Sequence, residues 1–445
     1  MLKIYYSSVK YIARASNQRA FSVSNKNTSV DPRHSRLVIL GAGFSGLVAS
    51  AYIPKISKVK NFEIRMLDPK LKTVYTPGLD LVPFGLKSID QIEKPVYSLI
   101  NNSINIDFSS VKSIRPKDNT IITNDNKEYT YDYLVLATGL TPNIDKVEGL
   151  QEALDERDEG VVSLNSEENI FKYKRMLDSF IAGDVIFYND DRTKSFESAL
   201  NQAFLFDTYL REERGRGLRQ MSNLQYISSS KSLFPHVKYS LQIQDLLREK
   251  NIEYDNFGLK LVSINKKSRK AIFQDKNSDK KVEKSYDLLF VNPEYQLPEA
   301  LQNLKDQNGN LKINNETLVH ENYPNILAMG HCTRNNGFIP SKRAILEQGI
   351  ILSYNLRLIL EANSKGQRPE KLVKFSGYTE LPLFVEPGKC LKLGVDPKMP
   401  DIARRISTWD YYKETYVFPE IYFRLMSRGL WFNDTGFRIP ALNTL

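Results

Sequence analysis

"RLVILGAGFSGLVASAYI", residues 36–53, decides the fold. Leu37, Val38, Ile39 and Leu40 form a short unbroken apolar run, which predicts a parallel strand buried on both faces. Gly41-Ala42-Gly43-Phe44-Ser45-Gly46 follows at once, and a helical pattern comes next. The three glycines have separate uses in that setting. Gly41 admits the tight turn, Gly43 lets a pyrophosphate reach the backbone, and Gly46 lets the helix lie close to the strand. The helix N-terminus then offers unpaired N–H groups and a partial positive charge to the phosphates. "FEIRMLDP", residues 62–69, reads as a second strand ending in Asp68. That carboxylate stands 22 residues past Gly46, where a ribose-binding acid belongs. The expectation is an adenine-dinucleotide fold. Pro54 falls inside the helical pattern and is expected to shorten the helix there.

Two more segments extend this unit. "YDYLVLATGLTP", residues 131–142, is an apolar strand followed by Ala137, Thr138 and Gly139, small residues that let the chain pass against a dinucleotide. "NILAMGHCTR", residues 325–334, reads as a buried strand, Ile326 to Met329, ending in a tight turn at Gly330. His331 and Cys332 at its mouth could be a metal half-site, a nucleophile pair or the remains of something else. Neighbours on an extended chain point to opposite faces. Cys332 and Cys390 are the only cysteines, and His34, His236, His320 and His331 show no ligand spacing, so a four-ligand zinc set is not expected. The intervening residues 151–310 carry strand candidates at 183–188, 224–229 and 286–293, and a helix leading into a strand in "KYSLQIQDLLREKNIEY". None is followed by a second glycine fingerprint; after Tyr188 comes "NDDRTKSFESALNQ". NADH as electron donor is therefore disfavoured. Strand, small-residue crossing, long insertion, then strand–Gly–polar resembles the order of two-dinucleotide-fold flavoproteins. In those proteins an aspartate after the glycine bonds the flavin's ribityl hydroxyl; here the residue is His331.

Composition narrows the partners. The 445 residues can support two or three domains, and 41% hydrophobic content is ordinary for a soluble globular chain. There is no run of 18 apolar residues, so no spanning helix is expected. Net charge is +10, but half of it is local: residues 1–30 hold Lys3, Lys10, Arg14, Arg19 and Lys26 and no acidic residue. A nucleic-acid partner is not expected on that balance. The same segment is Ser-rich and faintly amphipathic, the composition of a mitochondrial presequence, and "RAFS" (Arg19 to Ser22) has the form of a processing site. Near the other end, "WDYYKETYVFPEIYFRLMSRGLWF", residues 409–432, interleaves nine aromatics with Arg424 and Arg428. That pattern suits a helix at the lipid headgroup level. An aromatic core helix packed on the second domain is the alternative.

From about residue 35 to 435 the chain resembles the mitochondrial type of sulfide:quinone oxidoreductase. The shared landmarks are "LVILGAGFSG", "LDP", "VYTPG", "YDYLVLATGL", "FVNPE", "YPNILAMGHCT", "PSKRA", "FSGYTELPL" and "RLMSRGLWF". The resemblance implies an α/β fold with two Rossmann-like dinucleotide domains of the glutathione-reductase type and a C-terminal membrane-associating helical segment. It implies an FAD-binding domain from residues 31–150 and 311–375, a second domain from 151–310, and an interface and membrane segment from 376–445. It implies FAD held by Gly41, Gly43, Gly46, Asp68, Pro77, Thr138, Gly139, Gly330, His331 and Lys342. Lys342 would lie near the flavin pyrimidine edge, where a cation stabilises negative charge on the reduced ring. It also implies ubiquinone as acceptor, sulfide as donor, and a peripheral place on the matrix side of the inner mitochondrial membrane.

The departures bear on the donor. The family carries sulfur between two cysteines flanking the flavin. Here Ser195, in "KSFESA", and Leu381, in "GYTELPL", occupy those places, and Glu197 stands where a small residue is expected. A hydroxyl is a far poorer nucleophile toward sulfur than a thiolate, and leucine is none. Three readings follow: a flavoenzyme passing electrons from sulfide to quinone, the same with another donor, or a non-catalytic protein using the fold as a binding or structural module.

Overall fold

A computed structural model describes residues 34–57, 63–157, 159–212, 216–334, 340–397 and 404–430. Residues 1–30, read above as a presequence with a "RAFS" processing site, and the Trp431–Phe432 pair lie outside the described residues. The first unit is a strand β1 (His34–Leu40), a helix α1 (Phe44–Ser57) and a strand β2 (Ile64–Leu67), followed later by β3 (Glu128–Leu136). β1 and β2 run parallel with Leu37 opposite Ile64 and Leu40 opposite Leu67. The sheet has seven strands in all; Ile104–Asp107 lies beyond β2, and Thr120–Thr123 and Val111–Arg115 lie beyond β3. Ile326–Ala328 pairs parallel with β3, and Ala328 stands opposite Leu136. The apolar run of β1 is explained by its two buried faces. Leu37 and Ile39 pack with Leu47, Val48 and Tyr52 of α1. Val38 and Leu40 pack with Leu134, Leu136, Ile326 and Ala328 on the opposite face. Each such side chain contributes about 1.5–3 kcal/mol by leaving water.

The helix corrects one expectation. α1 does not end at Pro54 but continues to Ser57 with the proline inside. Tertiary contacts hold the last turn against the missing N–H donor. Ile53 and Ile56 are buried, and Lys55 Nζ donates to the Gly429 carbonyl at 2.5 Å and the Arg428 carbonyl at 3.2 Å.

The inserted residues build a second, wholly parallel sheet of five strands. Its order is Val161–Val162, Leu288–Asn292, β4 (Asp184–Asn189), β5 (Asn223–Ser228) and Glu253–Phe257. The three strand candidates fall on Leu288–Asn292, β4 and β5 within a few residues, and the Val237–Glu249 helix leads into the last strand. Helix α2 (Ser198–Glu212) covers one face through Ala199, Leu200, Ala203, Phe204 and Leu210, packed with Val185, Phe187, Leu224 and Phe290. A 22-residue helix α3 (Lys342–Asn363) lies on α1, where Gly349 sits against Val48. A hairpin of β6 (Thr379–Glu386) and β7 (Lys389–Val395) then packs on α2, and the chain is helical again from Thr408 to Met426. No helix among the described residues is long and apolar enough to cross a membrane.

Candidate functional site

The glycine loop has the geometry its spacing predicts. Gly41 has φ +102°, in the region that disfavours side chains, and a Cβ there would overlap the Ala137 carbonyl. A Cβ on Gly46 would overlap the Gly41 carbonyl, so α1 can start only over a glycine. Gly43 is exposed, and a Cβ on it would meet nothing within 4 Å. Gly41 and Gly46 close the turn, and the open position at Gly43 leaves room for a ligand against the backbone. The first-turn N–H groups of α1 have no carbonyl within the helix to bond. Asp68 ends β2 beside this loop. Its Oδ2 accepts from Ala42 N at 2.6 Å and its Oδ1 from Lys70 N at 2.7 Å. The carboxylate thus braces the loop. Thr138 and Gly139 follow β3, half-buried, along the same edge.

The turn after Ile326–Ala328 forms the next wall. Residues Gly330–Thr333 make one tight helical turn, so His331 and Cys332 do not alternate along an extended chain. Gly330 has φ +80°, and a Cβ on it would strike Ser45 Oγ at the head of α1. Its N–H donates to Gln348 Oε1 of α3 at 2.8 Å. Cys332 turns away from the loop into the core among Val38, Leu40 and Leu136, its Sγ 3.3 Å from the Leu136 carbonyl and 3.2 Å from the Met329 carbonyl. Burial pushes its thiol up to about 12, so it supplies no thiolate at neutral pH. His331 is half-buried, and burial with the neighbouring Lys194 and Arg334 cations pushes it down to about 3. It is a neutral imidazole at neutral pH.

Arg334 ties this turn to the segment that carries Ser195. Its guanidinium donates to the Thr193 carbonyl and, at 2.6 Å, to the Asp191 carbonyl. Asn292 Nδ2 donates to the Ser195 carbonyl at 2.7 Å. A buried carboxyl, Asp80, joins the Pro77 turn to α2: it accepts from Ser198 Oγ at 2.6 Å, Asn201 Nδ2 at 2.7 Å and Gln202 Nε2 at 3.1 Å. Burial lifts it to about 6 despite those donors. Asn201 Oδ1 accepts from Phe384 N of β6 at 2.7 Å. The structure therefore brings the Pro77 turn, the Ser195 segment, the Leu381 strand and the His331 turn together. Leu381 is buried beside Phe196 and Leu383 in the core of the second sheet. Glu197 is also buried, with one carboxylate oxygen unpartnered, and burial raises it to about 7.

Lys342 begins α3, capped by Ser341, whose Oγ accepts from Ala344 N. Sequence reasoning missed its partner. Glu414, from the C-terminal helix, forms an ion pair with Lys342 Nζ, and Tyr75 OH lies 3.2 Å from the same nitrogen. No local pattern links residues 72 positions apart. Cys390, on β7, is fully buried behind this group, and burial pushes it up to about 12.

The second sheet has no comparable cradle. β4 ends at Asn189 and is followed by Asp190 and Asp191, and the four amides after Asn189 are already bonded within the protein. Asp190 N donates to Asn292 O, Asp191 N to Ser229 Oγ, Arg192 N to Asp190 Oδ1 and Thr193 N to Asp190 O. Carboxylates and consumed N–H groups both oppose a pyrophosphate. A glycine cradle on one parallel sheet and a second parallel sheet whose strand-end amides are already bonded define the class of two-dinucleotide-fold flavoproteins.

Comparisons agree with that class. Residues 35–183 match the pyridine nucleotide-disulphide oxidoreductase family. The mitochondrial sulfide:quinone oxidoreductase of Dictyostelium discoideum is 30% identical over 411 residues, covering 89% of this chain and 87% of that protein. The chain belongs to the mitochondrial sulfide:quinone oxidoreductase family. Two solved structures share the fold. The Aquifex aeolicus sulfide:quinone oxidoreductase has a TM-score of 0.73 at 20% identity, over 89% of this chain and 92% of that one. A chain in the Tetrahymena thermophila mitochondrial ATP synthase has a TM-score of 0.75 at 18% identity, over 91% of this chain and 99% of that one.

Proposed function

We propose that this chain is a mitochondrial flavoprotein that passes electrons through FAD to ubiquinone, with the sulfide step of its family strongly weakened. The observation that carries the reading is the glycine loop. Gly41 and Gly46 are sterically required, Gly43 is open, and Asp68 stands at the loop. These residues fit an adenine dinucleotide, with Pro77, Thr138, Gly139, Gly330, His331 and Lys342 lining the path beyond. Residues 31–150 and 311–375 form the FAD-binding domain in this reading, 151–310 the second domain, and 376–445 the interface and membrane segment. When bound, FAD supplies the two-electron exchange. The chain's own part is to hold it by backbone N–H groups, to exclude water, and to place charge at Lys342. Ser195 and buried Leu381 provide no sulfur relay, and the thiols of Cys332 and Cys390 are buried.

Trp409, Tyr412 and Tyr416 support attachment to the matrix face of the inner membrane. They project from the C-terminal helix, with Trp409 and Tyr412 stacked at 6.1 Å and Lys87 over the Tyr416 ring at 3.9 Å. Tyr411, Tyr422 and Phe423 of the same segment are buried instead, so the aromatic pattern serves two faces. A second reading, a non-catalytic module in a larger assembly, is favoured by the enclosed thiols and by the fold shared with the ATP synthase chain. The test is an absorbance spectrum of the native protein, then ubiquinone reduction with sulfide and with an artificial reductant. Flavin with reductant-driven, sulfide-poor turnover supports the first reading. A flavin-free chain that takes up no FAD supports the second.

A further inference from the structure

The C-terminal helix carries a second buried feature besides its aromatics. Glu414 is 2% exposed at its side chain and pairs with Lys342 Nζ, itself 12% exposed, at the N-terminus of α3. The other Glu414 oxygen lies 3.4 Å from Lys392 Nζ. Lys392 reaches Glu380 at 3.0 Å, and Glu380 reaches Arg404 at 2.6 Å. Phe418 covers the pair, its ring 4.0 Å from Lys342 Nζ. Glu414 lies in a π-helical stretch, Lys413–Val417, just before Pro419, which has no N–H to continue the regular pattern. Such wide turns gather at functional positions. The same helix turns Trp409, Tyr412 and Tyr416 outward.

A buried carboxylate must be paired, and a buried lysine likewise. The pair carries no net charge, however its proton is shared. Lys342 therefore presents a neutralised cation at the head of α3, beside Tyr75 and the Pro77 turn. We propose that Glu414 is a positioning residue for the flavin reaction: it is the counter-ion that sets the charge Lys342 offers to reduced FAD. Seating of the C-terminal helix and the electron affinity of the flavin are then one coupled property. This inference rests on the FAD reading above.

The experiment measures the midpoint potential of bound flavin in Glu414→Gln, Glu414→Asp and Glu414→Gln combined with Lys342→Gln, using full-length protein. Thermal midpoints of the flavin-free forms are recorded beside them. An uncompensated Lys342 cation stabilises an anionic reduced ring, so Glu414→Gln raises the potential. The expected shift is about tenfold in the two-electron equilibrium, about 30 mV. Glu414→Asp restores the original value, and in the Lys342→Gln background the Glu414 change moves the potential no further. A lowered thermal midpoint with unmoved potential overturns the inference and leaves Glu414 merely structural. An equal shift without Lys342 overturns it too. If Glu414→Gln fails to fold, Glu414→Asp against Lys342→Gln alone decides it: Lys342→Gln must lower the potential while Glu414→Asp leaves it near the wild-type value, and identical potentials in both refute the coupling. Protein that never holds flavin removes the FAD reading itself, whereas flavin with an unmoved potential removes only this inference.

Discussion

His331→Asp is the most informative substitution at the cofactor path. The imidazole is half-buried in the turn after Ile326–Ala328, beside Lys194 and Arg334, and is held neutral down to about pH 3. It therefore adds no negative charge between Lys194 and Arg334. Burial and the nearby Lys70 already press Lys194 down to about 8. An aspartate restores an anion that both cations stabilise and that accepts a hydrogen bond from a ligand hydroxyl. A charge-assisted hydrogen bond contributes about 1.5–3 kcal/mol. FAD should bind roughly ten- to a hundredfold more tightly, at about 1.4 kcal/mol per decade. The assay is titration of flavin-free protein with FAD, followed by quenching of flavin fluorescence. His331→Asn serves as the uncharged control and should change affinity little. Weaker binding by His331→Asp than by wild type would falsify the placement of this turn along the flavin.

Other substitutions test separate links. Gly46→Ala forces α1 away from the Gly41 carbonyl, so stability should fall by about 1–3 kcal/mol in chemical denaturation and FAD affinity should fall with it. Glu197→Gln should stabilise the protein by on the order of 2–3 kcal/mol above pH 7 and by nothing near pH 4. The sign follows from a folded carboxyl raised to about 7: the cost of ionising it appears as pH rises past its unfolded value and is complete above 7. Equal thermal midpoints at both pH values would contradict this. Cys332 and Cys390 should resist alkylation at neutral pH until the chain unfolds, as mass spectrometry reads; rapid labelling of either in the native state contradicts their burial. Ser195→Cys with Leu381→Cys should be necessary for sulfide turnover. It should lose about 2 kcal/mol of stability, because Leu381 fills the core beside Phe196.

The first dinucleotide unit was legible because local rules and tertiary demands coincide there. A strand buried on both faces needs an apolar run, and a helix starting against a carbonyl needs a glycine at position 46. The closed second sheet was legible as a missing fingerprint, although the amides bonded by Asp190, Ser229 and Asn292 could only be seen in three dimensions. Pro54 misled because a local breaker was overridden by Lys55 bonds to residues far along the chain. Cys332 misled because a helical turn replaces extended chain after Gly330, and side-chain direction changes with it. The C-terminal segment reads as one aromatic pattern but divides between a core face and an exposed face. The Lys342–Glu414 pair left no trace in sequence at all, since ion pairs between distant elements have no periodicity.

The central claim is that the open Gly43 loop with Asp68 holds FAD. The absorbance spectrum of the natively purified protein tests it most directly, read before and after denaturation and again after dialysis against FAD. The account predicts flavin bands in the folded protein and release of intact FAD on unfolding, because the site offers backbone N–H groups and a carboxylate but no covalent attachment. A colourless protein that takes up no flavin from excess FAD contradicts it.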